Sequence, residues 1–146
     1  MSKPAFQDMA LRVALDRDVA RTSDGYDKRA QEYASRLTGT RLDKTQVRGL
    51  ESLACTTDKV SDITDWLKLR VGRDSGRDRW AKDGVGRDLL SEFDGLRNDA
   101  QKIVAALSKT YSLDTDQERQ VHLRLCREFL KHLAAHFEYL QAEHRR

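Results

Sequence analysis

The sequence predicts an all-α fold, a compact bundle of five to six helices with a long C-terminal helix, and three observations carry that expectation. Apolar residues recur at spacings of three and four throughout, and no stretch alternates apolar with polar residues as a half-buried strand would. Glycine is confined to positions 25–95, which leaves the last third uninterrupted. The only proline, Pro4, stands where it would begin a helix instead of breaking one. With 146 residues, 38% of them hydrophobic and 35% charged, the chain is expected to form a single helical domain over residues 1–146 around one core.

A first helix is expected over residues 5–21, with Phe6, Met9, Ala10, Val13 and Ala20 on its inner face. Thr22-Ser23-Asp24-Gly25 ends it, and Tyr26, Ala30, Tyr33, Ala34 and Leu37 form the stripe of a second helix that closes at Thr38-Gly39-Thr40. Asp43-Lys44-Thr45-Gln46 reads as a capping box for a third helix carrying Val47, Leu50 and Leu53 inward. Thr56-Thr57-Asp58 supplies a cap for a fourth, with Val60, Ile63, Leu67 and Val71 inward and Trp66 and Leu69 widening the stripe as far as Arg73.

Between Arg73 and Gly86 the periodicity lapses, and Gly72, Gly76, Gly84 and Gly86 offer positions for positive φ in a loop anchored by Trp80. A fifth helix would bury Val85, Leu89, Phe93, Leu96, Ala100, Ile103 and Leu107, with Gly95 as its weak point. Ser112-Leu113-Asp114 opens the sixth and longest. There Leu123, Cys126, Leu130, Leu133, Phe137 and Leu140 follow heptad spacing, and Leu125, Phe129 and Tyr139 widen the arc.

Several function classes find little support. No apolar run approaches the ~20 residues of a membrane span and the start lacks an apolar leader segment, so a cytoplasmic protein with no membrane partner is expected. Cys55 and Cys126 lack CxxC spacing and are expected to be buried thiols. His122 and Cys126, and His132 and His136, are spaced as metal ligands on one helical face, but two pairs more than two turns apart cannot share one ion unaided, and no full motif accompanies them. No GxSxG elbow is present, and Gly84-Val85-Gly86 is only half a dinucleotide fingerprint and follows no strand. The acidic run Asp58, Asp62 and Asp65 suits a helix N-terminal turn better than an acid/base pair. Neither cofactor, metal nor catalytic residue is expected.

The basic residues are more informative. Net charge is only +3, yet between Lys68 and Asp88 seven basic residues face four aspartates. Arginine predominates there, and its planar fork suits bidentate phosphate contact. The competing reading is an exposed loop whose neighbours neutralise one another, as in Gly72-Arg73-Asp74 and Gly76-Arg77-Asp78. A second basic group, Arg41, Lys44 and Arg48, marks the start of the third helix, where free N–H groups favour phosphate. Arg124, Arg127 and Lys131 on the last helix would extend these into a basic track that follows a nucleic-acid backbone without reading bases.

Two motifs carry a family resemblance. Leu42-Asp43-Lys44-Thr45-Gln46-Val47-Arg48 resembles a Leu-Thr-x-x-Gln-Ile-Arg helix start, and Leu67-Lys68-Leu69-Arg70-Val71-Gly72-Arg73 is similar to a Leu-x-x-x-x-Gly-Arg stretch. Both belong to the small all-helical subunits of type III CRISPR effector complexes, whose closing aromatic-rich helix the segment from Leu125 to Leu140 also resembles. The resemblance implies a non-catalytic subunit of a ribonucleoprotein, stacked with other copies of itself beside the backbone and large subunits and facing CRISPR RNA and target RNA. It also implies Lys44, Arg48, Arg70 and Arg73 as RNA contacts; Arg77, Arg79 and Arg87 follow from charge alone. The rivals are a helical protein-interaction module of adaptor or scaffold type and an enzyme with a helical metal site.

Overall fold

The computed structural model describes residues 5–144, with side chains from residue 9 onward. It contains six α-helices and no strand among these residues: α1 (Ala5–Asp24), α2 (Asp27–Thr38), α3 (Lys44–Thr56), α4 (Val60–Arg73), α5 (Val85–Leu107) and α6 (Thr115–His144). A single 3₁₀ turn, Lys82–Gly84, leads into α5. The all-α expectation and the long last helix therefore hold, and each boundary has a local cause. At α3 the Asp43 carboxylate accepts from the Gln46 amide at 3.0 Å while the Gln46 side chain accepts from the Asp43 amide at 2.9 Å. The same reciprocal pair, Asp114 and Gln117, opens α6.

α6 is the strut on which the others pack, most extensively α2, α3 and α5. Its Phe129 sits fully buried where three aromatic rings meet it in edge or tilted contact: Tyr26 at 5.9 Å, Tyr33 at 6.0 Å and Phe93 at 6.3 Å between centroids. Both tyrosines keep a polar partner at the rim, the Tyr26 hydroxyl donating to Asp99 at 2.7 Å and that of Tyr33 to the Asp88 carbonyl at 3.1 Å. All seven residues expected to line α5 are buried, as are Leu123, Leu125, Cys126, Leu130, Leu133 and Phe137 of α6.

Four expectations are corrected. On α1, Met9 and Val13 are 68% and 61% exposed and Ala20 is exposed too; the inner face is Leu11, Ala14 and Val19, with Leu15 at its edge. Two apolar stripes compete on that helix, and packing against α5 and α6 selects the one carrying Leu11. Leu69 and Tyr139 are exposed as well, because each lies past the edge of its helix's contact arc. The fourth helix is not capped by Thr56-Thr57-Asp58. Lys59 occupies the cap position without a side-chain bond, while the Thr57 hydroxyl accepts from the Lys59 amide and bonds to Asp62. Of the two thiols only Cys126 is buried, its pKa pushed up to about 12 by burial, whereas Cys55 is exposed. The expectations for Pro4 and the Phe6 side chain fall outside the described residues.

The connection between α4 and α5 is built around one carboxylate. Asp74 accepts from the amides of Arg79 and Ala81, each at 2.9 Å, and more distantly from Asp78 at 3.4 Å. Burial raises its pKa, but those three amide bonds outweigh the effect and hold the carboxyl below its ordinary value. Trp80 is 3% exposed and anchors the segment, as expected. Of the four glycines expected to offer positive φ, Gly84 adopts it and Gly72, Gly76 and Gly86 do not, while Arg77 and Asp83 take positive φ unexpectedly. Gly86 serves close approach instead. A Cβ there would lie 2.4 Å from Val71 Cγ2 and 2.5 Å from the Trp80 carbonyl oxygen.

Candidate nucleic-acid interface

The C-terminal half of α4, the start of α3 and the connecting segment enclose a cleft of about 390 Å³ lined by Thr45, Gln46, Trp66, Arg70, Arg73, Asp74, Arg79 and Trp80. Helical spacing sets this up: Trp66, Arg70 and Arg73 follow one another at i, i+4 and i+7 on one side of α4. Trp80 meets Trp66 edge-on at 5.8 Å. The Arg70 guanidinium carbon lies 3.6 Å from the centroid of the Trp66 ring, a cation–π contact that holds the guanidinium at the cleft.

Charge pairing decides which basic residues can take a ligand. The competing reading, pairing within Arg73-Asp74 and Arg77-Asp78, finds no ion pair among the described residues, although Asp74 still attracts Arg79 of the same segment. Asp74 is engaged by backbone amides, and Asp78 pairs with Arg41 of the α2–α3 connection at 3.3 Å, where the Arg41 amide also donates to the Asp78 carbonyl. Arg70, Arg73, Arg77 and Arg79 are exposed and have no ion pair among the described residues. Lys44, at the first turn of α3 beside the cleft residue Thr45, has none either.

The other candidates divide differently. Arg48 pairs with Glu138 of α6 and so ties α3 to the central helix. Arg87 lies on α5 with Asp88 at 3.8 Å, away from the residues lining the cleft. The third group of the expected basic track is engaged in contacts of its own. Arg124 pairs with Asp16 of α1 at 2.8 Å, Lys131 with Glu128 at 3.3 Å, and Arg127 donates to the carbonyls of Ala54 at 2.6 Å and Thr57 at 2.7 Å. At the α3 N-terminus the capping box takes up the Gln46 amide and sets the Asp43 carboxylate beside the first turn, where it competes with a phosphate.

No protein-family model, curated protein or solved structure matches the chain.

The spaced histidines do not assemble a metal centre. His122 Nε2 is 2.7 Å from the Phe93 carbonyl in the interior, whereas His132 and His136 both reach Asp27 at the start of α2, at 3.2 and 2.8 Å. Among the described residues no group of three His, Cys, Asp or Glu side chains could hold an ion. No helix there is long and apolar enough to cross a membrane.

Sequence reasoning assigned Trp66 to the core stripe and missed its role as a platform for Arg70. The signal was present as an aromatic four residues before an arginine, a pair that meets on a helix surface. The use of Asp74 as an amide acceptor had no such signal, because its partners lie in a segment without periodicity.

Proposed function

We propose that the protein is a non-catalytic, RNA-facing subunit of a ribonucleoprotein assembly. The observation that carries the reading is the convergence of Arg70, Arg73 and Arg79 on one aromatic-floored cleft, where they form no ion pair among the described residues and where the one lining carboxylate, Asp74, is held by backbone amides while still attracting Arg79. Phosphates of a single strand are the ligands such a site suits: several guanidinium forks side by side, one of them held by a cation–π contact, and no pattern of acceptors that would read a base. The narrower form, a small subunit of a type III CRISPR effector complex, rests on the two sequence motifs. Their support is that Thr45 and Gln46 of the first and Arg70 and Arg73 of the second line the same cleft. CRISPR RNA and target RNA would then be the strands met, and many weak contacts along a stack of copies would add through avidity.

The test is single-stranded RNA binding by fluorescence anisotropy over a salt series, with the isolated protein and with the assembled complex. Each phosphate contact adds about 0.7 to the salt slope for a single strand, so R70A/R73A is expected to flatten it by roughly 1.4 and weaken binding regardless of base sequence. Its melting temperature should fall only slightly, since neither arginine has an ion pair among the described residues and the exposed Arg70–Trp66 contact that R70A removes is worth about 0.5–1 kcal/mol. Unchanged affinity in that double variant removes the assignment.

A protein-interaction module is favoured by one observation of its own, the exposed Met9 and Val13 one turn apart on α1. In that case association is with protein, its salt dependence is shallow, and R70A/R73A leaves it intact.

A further inference from the structure

At the opposite end of α4 from the arginine cleft lies a larger cavity of about 600 Å³, between the first turn of α4, the middle of α5 and the first two turns of α6. A second hollow of about 310 Å³ shares Val60, Ser61, Arg97 and His122 with it, so the two form one continuous depression. This is the size of ordinary small-ligand sites.

Three features of its lining point the same way. Arg97 and Arg119 both face it and have no ion pair among the described residues, although Asp58 and Glu118 also line the cavity. The first turn of α4, which borders it, begins at Lys59 without any side-chain cap. His122 is 5% exposed, and its Nε2 must carry the proton, because the Phe93 carbonyl 2.7 Å away can only accept. In the neutral ring Nδ1 is then an acceptor, and no group of the protein among the described residues donates to it.

We propose that this cavity binds a small hydroxylated phosphate ester, with Arg97 and Arg119 holding the phosphate and His122 Nδ1 accepting from a ligand hydroxyl. The remaining lining supplies hydroxyl and amide partners in Ser61, Gln101 and Thr115, and carboxylate acceptors in Glu118 and Asp58. Among the described residues Val60 is the only aliphatic one on the larger cavity's wall, and no Phe, Tyr or Trp stands there to stack a base, the one ring being the His122 imidazole bonded to the Phe93 carbonyl. A polyol phosphate suits that wall; a nucleobase or an acyl chain does not. Burial holds the His122 pKa below its ordinary value and Arg97 adds to the effect, against the opposing pull of the Phe93 carbonyl, so the acceptor state prevails at neutral pH.

The site is independent of the RNA reading and is tested separately. The full chain is titrated by calorimetry, with thermal shift in parallel, against glycerol phosphate, a hexose phosphate, adenosine monophosphate and inorganic phosphate. The esters of the two polyols are expected to bind about tenfold more tightly than inorganic phosphate, a difference of roughly 1.4 kcal/mol. R97A/R119A should abolish that binding while preserving the unliganded melting temperature and the RNA affinity. Failure of both polyol phosphates to bind at millimolar concentration overturns the proposal. So does equal affinity for inorganic phosphate, preference for the nucleotide, or binding that survives in R97A/R119A.

Discussion

Gly86 and Gly95 stand nine residues apart on α5, and the same substitution is expected to act on them with opposite sign. At Gly95 a Cβ meets nothing within 4 Å, so Gly95→Ala removes the helix-interior cost of glycine and stabilises by about 0.8–1 kcal/mol. At Gly86 the added carbon falls 2.4 Å from Val71 Cγ2 and 2.5 Å from the Trp80 carbonyl oxygen. The Val71 side chain can turn away. The carbonyl cannot, because the Gly86 amide donates to that same oxygen at 2.8 Å, and moving one atom breaks the bond with the other. Overpacking of this kind costs about 1–3 kcal/mol, which exceeds the small helix gain available in the first turn. The two variants should therefore differ by roughly 2–3 kcal/mol. With a urea slope of about 1–3 kcal/mol per M, equilibrium unfolding should separate their midpoints by roughly 1 M, the wild type falling between. Gly86→Ala should also weaken RNA binding, since the displaced carbonyl belongs to the Trp80 segment that closes the arginine cleft. A Gly86→Ala protein as stable as the wild type refutes the close approach of α5 to residues 71 and 80.

Two further outcomes follow from individual contacts. Arg127→Met keeps the aliphatic stem but removes the donors that satisfy the carbonyls of Ala54 and Thr57 at the end of α3; unfolding in urea should show a loss of about 2–3 kcal/mol. His122 has a folded pKa below its ordinary value of 6.5, so the unfolded chain takes up more protons as pH falls through 6.5. That residue should therefore make stability decline from near 6.5 downward until the folded pKa is passed. Melting curves of His122→Gln, which retains a donor for the Phe93 carbonyl, should lack that part of the acid slope; an unchanged slope would assign it elsewhere.

The type and order of the helices were legible because local rules determine them. Seven residues of α5 and the aromatic-rich face of α6 each keep one period over several turns, so a single inner face is possible, and the capping box at Asp43 and Gln46 involves only neighbours in the chain. Where two stripes were available, as on α1, periodicity had no means of choosing. Leu11 was buried and Met9 left out by the shape of α5 and α6, which local sequence does not describe.

The candidate interface divides along the same line. Sequence alone determined that arginines concentrate between residues 68 and 88, and two motifs singled out the segments that border the cleft. Which of those charges stay available was decided only in three dimensions. Arg41 meets Asp78, Arg48 meets Glu138 and Arg124 meets Asp16 across large separations in the chain, while Asp74, adjacent to Arg73, turns to backbone amides instead. The physical reason is that a side chain's charge is settled by whatever the fold brings within a few ångströms of it. A count of basic and acidic neighbours along the chain does not contain that information.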